Sequence, residues 1–276
     1  MKRKDFLFVA LFFSIMPVPL GFSASAGETK PRVSGAPTYD VVVVNGKVID
    51  GSGNPWFYAD VAIKGGKIVK IGKIDPSSGR RVIDAMGMVV TPGFIDLHTH
   101  TDMPVLADGN AESAVRQGVT LDVIGESSTV APLSGKALEE YKEDAKRRAG
   151  VDVDWTTLAG YFRRLNKKGS SINIASSVSP QQIRKVVIGF EDRPATAAEI
   201  DKMTKLVAEA MEEGAVNLST AFTGGGYKYA DEMIAMAKVV AKYGGYYGTH
   251  IGGEGEQVME ELDKAIRVGE EAKIPV

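Results

Sequence analysis

From Phe94 onward the chain repeats one pattern five times, a short β-branched or apolar run followed by sequence with helical spacing. The runs are Phe94–His98, Thr120–Gly125, Ile172–Ser176, Ala215–Ser219 and Tyr246–Ile251. Between them, Trp155, Leu158, Phe162 and Leu165 recur at the spacing of one helix face. Ser179-Pro180 reads as a cap followed by a first-turn proline, and Thr196 and Glu199 have capping-box spacing with Gly214 as the stop. Successive βα units demand a parallel sheet, because parallel neighbours need a crossover between them. The expected class is therefore α/β, either doubly wound or part of a (β/α)8 barrel.

The pattern upstream is different. Residues 39–90 hold short β-branched runs, "YDVVVVNGKVID", "DVAIKGGKIVKIG" and "RVIDAMGMVV", with a hairpin expected at Gly65-Gly66. They predict a small β-module, with the barrel region taking residues 91–276. Residues 27–38 read as a polar linker. Residues 1–26 combine a basic start, an apolar stretch broken by Pro17 and Pro19, and Ala24-Ser25-Ala26, which predicts a cleaved export signal and a secreted or periplasmic protein with no stable membrane anchor after cleavage. With no cysteine anywhere, stability has to come from packing and metal rather than disulfides. A net charge of −2, with Lys and Arg scattered among acids, argues against nucleic-acid binding.

The chain has three histidines, and two stand one residue apart in "TPGFIDLHTHTD". Side chains two apart on a strand share a face, so His98 and His100 project together while Leu97 and Thr99 face away. Two converging imidazoles suit a divalent cation, yet His-x-His alone is equally what two exposed strand histidines look like. Position separates the readings: both lie at the C-terminal end of a strand in a βα array, where barrel enzymes gather their catalytic groups, and His250 lies at the end of another. Asp96 shares the histidine face and reads as a hydrogen-bonding support or a strand-end polar residue. Asp102 reads as a group that positions a ligand or contacts substrate, or as a solvated loop residue. The "TGGGY" loop, Thr223 to Tyr227, reads as a pocket lid or a plain connector.

The β-module followed by "VVTPGFIDLHTHTD", "GVTLDVIGESS", "LSTAFTGGGYKYADEMIAMAKVVAKYGG" and "YYGTHIGGEGE" resembles the amidohydrolase superfamily, and within it the N-acyl-D-amino-acid deacylases. The likeness runs from Tyr39 to Val276. It implies a metal-dependent (β/α)8 barrel joined to a small β-sandwich, with His98 and His100 as the first-strand ligand pair and His250 as the fifth-strand ligand. The family carries a cysteine ligand in the turn after the second strand; here Ser127 falls at that position beside Glu126. A neutral hydroxyl is a poor Zn2+ ligand and a carboxylate a good one, so Glu126 is the expected metal ligand. Relatives often continue His-Ile-Arg, where this chain has His250-Ile251-Gly252, which removes a cation from near the substrate.

What the resemblance implies chemically is hydrolysis of a linear amide, most simply deacylation of a small N-acyl-D-amino acid, by water activated on one or two Zn2+ ions. The family's acid/base aspartate lies on the eighth strand. The sequence ends at "AKIPV", which looks like the start of a sixth, so the expectation is an incomplete barrel of about five βα units, its catalytic aspartate beyond Val276, inactive alone and open to self-association at the barrel edge. The alternatives are a dihydroorotase-like or dipeptidase-like hydrolase, and a non-catalytic exported remnant that binds metal or a partner.

Overall fold

A computed structural model describes residues 37–221, 229–253 and 255–276. The export signal, nearly all of the linker and the Thr223 to Tyr227 loop lie outside the described residues. The chain divides into two compact units, one running through Phe94 and including Ser113–Thr120, the other comprising Ile95–Glu112 and Leu121–Val276.

The first unit is a mixed sheet of β1 (Tyr39–Val48), β2 (Phe57–Lys64), β3 (Lys67–Gly72), β4 (Gly79–Asp84) and β5 (Val89–Val90). Its order is β3-β2-β1-β4, with β5 also pairing β1. The uninterrupted valines of β1 are explained by burial on both faces. Val43 and Val48 pack with Val61 and Val90 on one side, and Val42 and Val44 with Ala62 and Ile74 on the other. Gly65 and Gly66, at φ 58° and 72°, make the tight turn between antiparallel β2 and β3, where a side chain would be strained. Asp40 secures it by accepting the Gly65 N–H at 2.7 Å.

The second unit holds most of an incomplete (β/α)8 barrel. Its strands are β6 (Phe94–Thr99), β7 (Val119–Ile124), β8 (Asn173–Val178), β9 (Ala215–Ala221) and β10 (Tyr246–His250), in the order β10-β9-β8-β7-β6. The pairs β7·β8, β8·β9 and β9·β10 are parallel. Between strands lie the one-turn helices α1 (Pro104–Ala107) and α2 (Glu112–Val115), then α3 (Gly135–Ala149), α4 (Leu158–Lys168), α5 (Pro180–Val187), α6 (Ala197–Glu212) and α7 (Ala230–Lys242), with α8 (Val258–Ala272) following β10. One core joins sheet to helices through Ile124, Val178, Leu218, Met203, Met236 and Tyr247, all fully buried.

The caps start the helices where the residues ask for it. Thr196 and Glu199 form a complete capping box on α6, and the Ser179 hydroxyl caps α5 ahead of Pro180. The Thr157 hydroxyl caps α4. On α4 the fully buried aromatic is Tyr161 rather than Phe162, which is half-buried. The Tyr161 hydroxyl explains the exchange, because it donates to the Asp102 carbonyl at 2.9 Å and so satisfies a polar tip inside the core. No helix among the described residues is long and apolar enough to cross a membrane.

Candidate metal centre

His98 lies on β6, and His100 follows the strand's last residue, Thr99. Glu126 comes two residues after β7, in a sharp turn between Gly125 at φ 94° and Ser127 at φ 57°. Only glycine fits at 125, where a Cβ would stand 2.9 Å from Thr129 Cγ2. The Ser128 N–H closes the turn on the Glu126 carbonyl at 2.6 Å, and the Ser179 hydroxyl donates to the Ser127 carbonyl at 2.8 Å. Glu126 is thereby held with its side chain 10% exposed beside two open imidazoles.

One donor atom from each of His98, His100 and Glu126 lies within 4.8 Å of the other two. Glu126 Oε2 contacts His98 Nε2 and stands 3.7 Å from His100 Nε2. The rings sit 5.4 Å apart at 71° to each other, so their nitrogens converge while their faces do not stack. Ligand atoms about 2 Å from a common Zn2+ are separated by roughly 3–4 Å, and the set contains the imidazole and carboxylate donors such an ion takes. The residues therefore fit a divalent cation. Among the described residues this is the group that forms; His250, the last residue of β10, is not brought into it.

Asp96 Oδ1 accepts the His98 backbone N–H at 3.1 Å, and no hydrogen bond from it to either ring is among those of the described residues. It braces the strand end instead. Asp102 lines the same cavity as His100 and accepts the Tyr141 hydroxyl at 3.0 Å. Burial pushes the Asp102 carboxyl above its usual range, opposed by the Tyr141 hydrogen bond and the charge of His100, and burial beside Asp102 pushes the Tyr141 phenol far up. Ser127 lines this cavity too, in the left-handed conformation that presents the turn.

The three-residue group borders two cavities. One, of about 400 Å3, is lined by His100, Glu126, Ser127, Asp102, Tyr141 and Arg148. The other, of about 360 Å3, is lined by His98, Glu126, Ser219, Asn217, Tyr246 and Thr249. Asn217 Oδ1 and the Tyr246 hydroxyl are buried there without a hydrogen-bond partner among the described residues. Asp122, buried under the site, accepts the Thr101 hydroxyl at 2.7 Å; burial first, and the Asp96 charge besides, push its carboxyl up. Tyr141, Asp122 and Asn217 escape sequence reading, since a tyrosine on a charged helix and polar residues within apolar strands carry no local signal of what they face.

No protein-family model matches the chain. It is 32% identical over 241 residues to a D-aminoacylase of Alcaligenes xylosoxydans xylosoxydans, covering 86% of this chain and 49% of that relative. A solved D-aminoacylase with a binuclear metal centre superposes with a TM-score of 0.73 at 32% identity, covering 86% of this chain and 50% of the other. The N-acyl-D-glutamate deacylase of Bordetella bronchiseptica, solved with zinc and a phosphonate mimic of the tetrahedral intermediate, gives 0.72 at 28% identity over the same shares. The chain thus spans about half the length of the relatives it matches. Its sequence likeness over 86% of its length and its curled parallel sheet ally it with the D-aminoacylases and N-acyl-D-amino-acid deacylases among the amidohydrolases.

Proposed function

We propose that this chain carries the metal-binding half of an amide hydrolase that removes the acyl group from small N-acyl-D-amino acids. The observation that carries this reading is the convergence of His98, His100 and Glu126 at the ends of neighbouring strands β6 and β7, in a fold shared with deacylases. His98, His100 and Glu126 hold the ion, Zn2+ by ligand type, with His250 recruited from β10 as a further ligand. A Zn2+ held there would supply Lewis acidity, making water a nucleophile near neutral pH and polarising an amide carbonyl.

The chain's own residues do the rest. Glu126, fixed by its turn, sets where the imidazoles meet; Asp96 holds the His98 backbone in register. The cavity beside His100 takes one arm of the substrate, with the Ser127 and Tyr141 hydroxyls on its wall. Neither carboxylate at the site is assigned the proton shuttle, since Glu126 faces the imidazoles and Asp102 is engaged by Tyr141. That role falls to the eighth-strand aspartate of the family. The N-terminal 26 residues are assigned to export.

Zinc binding by the purified chain tests the reading. Wild type takes up one or two equivalents, and Glu126→Ala or His98→Ala weakens uptake at least a hundredfold. His250→Ala weakens it less, by removing a ligand outside the central group. Unchanged stoichiometry and affinity in Glu126→Ala would overturn the ligand assignment. A preference for N-acyl-L-amino acids over their D enantiomers, in a chain carrying all eight strands, would overturn the substrate.

A further inference from the structure

A third cavity, of about 380 Å3, lies against α4, and neither the metal nor the substrate uses it; Arg163, Arg164, Lys167, Thr156 and Trp155 are on its wall. The three cations and Gly160 are spaced three, four and seven apart, so they share one helix face. Asp154 is the one carboxylate of the lining, and its Oδ1 stands 3.8 Å from Arg164 Nε, too far for a hydrogen bond.

One observation separates this face from an ordinary solvated charge run, and a second leaves its charge unbalanced. Arg164 Nε is withdrawn from water and has no hydrogen-bond acceptor among the described residues, a state that buried N–H groups rarely keep. Arg163 and Lys167 are exposed, and no carboxylate among the described residues pairs with either. The lining therefore sets three cations against a single acid in a concave space. The first backbone N–H groups of α4 are already taken, Ala159 by Glu213 at 3.0 Å and Gly160 by the Thr157 hydroxyl at 3.2 Å, so the donors are the side chains. Gly160 lets the helix approach Trp155, whose Cβ would lie 2.9 Å from any Cβ placed there.

We propose that this cavity is an oxyanion site that takes a phosphate group, free or carried on a small phosphomonoester. The Arg163 and Arg164 guanidinium groups, both open to solvent, donate to its oxygens, the Lys167 ammonium helps neutralise the dianion, and the Thr156 hydroxyl completes the shell. Charge-assisted bonds of this kind are the usual means of holding phosphate, with arginine supplying directed donors and lysine a point charge.

Equilibrium dialysis of radiolabelled inorganic phosphate tests it, on metal-free protein and at constant ionic strength with chloride. A parallel arm uses glycerol 3-phosphate. The expected result is one saturable site per chain with Kd below about 1 mM. It should weaken at least tenfold in the R163M/K167M double variant, whose exposed and unpaired side chains leave the fold intact by far-UV circular dichroism. Tighter binding of the ester identifies an esterified phosphate as the ligand, and equal binding identifies the free ion. Absence of saturable binding, unchanged affinity in the double variant, or binding abolished by Glu126→Ala instead, would overturn the proposal.

Discussion

The Tyr141 hydroxyl donates to the Asp102 carboxylate across 39 residues of sequence, tying α3 to the loop that follows the two histidines. Both residues are half-buried, so the bond supports a charge that partial burial disfavours. Tyr141→Phe removes the donor and leaves the carboxylate partly unsatisfied, which should destabilise the chain by about 1–3 kcal/mol in a urea titration.

The pH dependence of the same group has a definite sign. Burial raises the folded-state pKa of Asp102 above its ordinary 3.8, so between those two values the folded state binds the proton more tightly than the unfolded state. Its contribution to stability is therefore full below 3.8 and lost as pH rises through the raised folded value. In metal-free protein, Asp102→Asn should flatten that decline. Parallel urea midpoints for wild type and variant across this range would contradict the assignment.

Arg184 on α5 and Glu232 on α7 form a buried ion pair, with both carboxylate oxygens 2.6–2.7 Å from the same guanidinium nitrogen. The pair also organises the loop between α5 and α6, through Arg184 to the Glu191 carbonyl and the Ala195 N–H to Glu232. Removing one partner strands a buried charge. Arg184→Met should cost about 3–5 kcal/mol, and adding Glu232→Leu should restore much of that loss. Chemical denaturation of the two singles and the double reads this out; additive losses would show that the pair is not the source.

The parts of this molecule legible in its sequence are those with a local period. All five barrel strands were readable because short apolar runs alternate with stretches of helical spacing, and α5 and α6 carry caps as well. Their ends move by one or two residues for specific reasons: β7 stops at Ile124 because Gly125 turns to φ 94°. The histidine pair was readable because strand alternation alone puts both rings on one side. What periodicity does not encode is pairing over distance. The parallel docking of β4 on β1, the choice of Tyr161 over Phe162 and the Tyr141–Asp102 bond each depend on a partner far along the chain.

Helix α6 opens on a box whose acid is also gripped by Arg193, at 2.7–2.8 Å to both Glu199 oxygens. The Arg193 hydrogen bonds first, then those from Thr196, hold the Glu199 carboxyl far below its ordinary 4.5. A depressed carboxyl contributes stability that is present above 4.5 and lost as pH falls toward the folded value. Thr196→Ala should cost about 1 kcal/mol at neutral pH. Glu199→Gln should remove the acid-side loss, measured as the fall in urea midpoint as pH is lowered from neutral through 4.5.

Ser127 offers the sharpest test of how the turn after β7 serves a metal. It falls where the family resemblance implies a cysteine ligand, sits at φ 57°, and lines the same cavity as His100 and Glu126. A thiolate binds Zn2+ far better than a neutral hydroxyl, so Ser127→Cys should raise zinc affinity at least tenfold without a backbone change. Because a ligand that binds only the folded state stabilises it by mass action, each tenfold gain adds about 1.4 kcal/mol at saturating zinc. The variant's unfolding midpoint should therefore separate from wild type in zinc and coincide with it in chelator. Adding Glu126→Ala to Ser127→Cys then asks whether thiol and carboxylate serve one ion. If they do, the double variant keeps zinc more tightly than Glu126→Ala alone, whereas equal zinc affinity in the two would place the serine's side chain away from the ion.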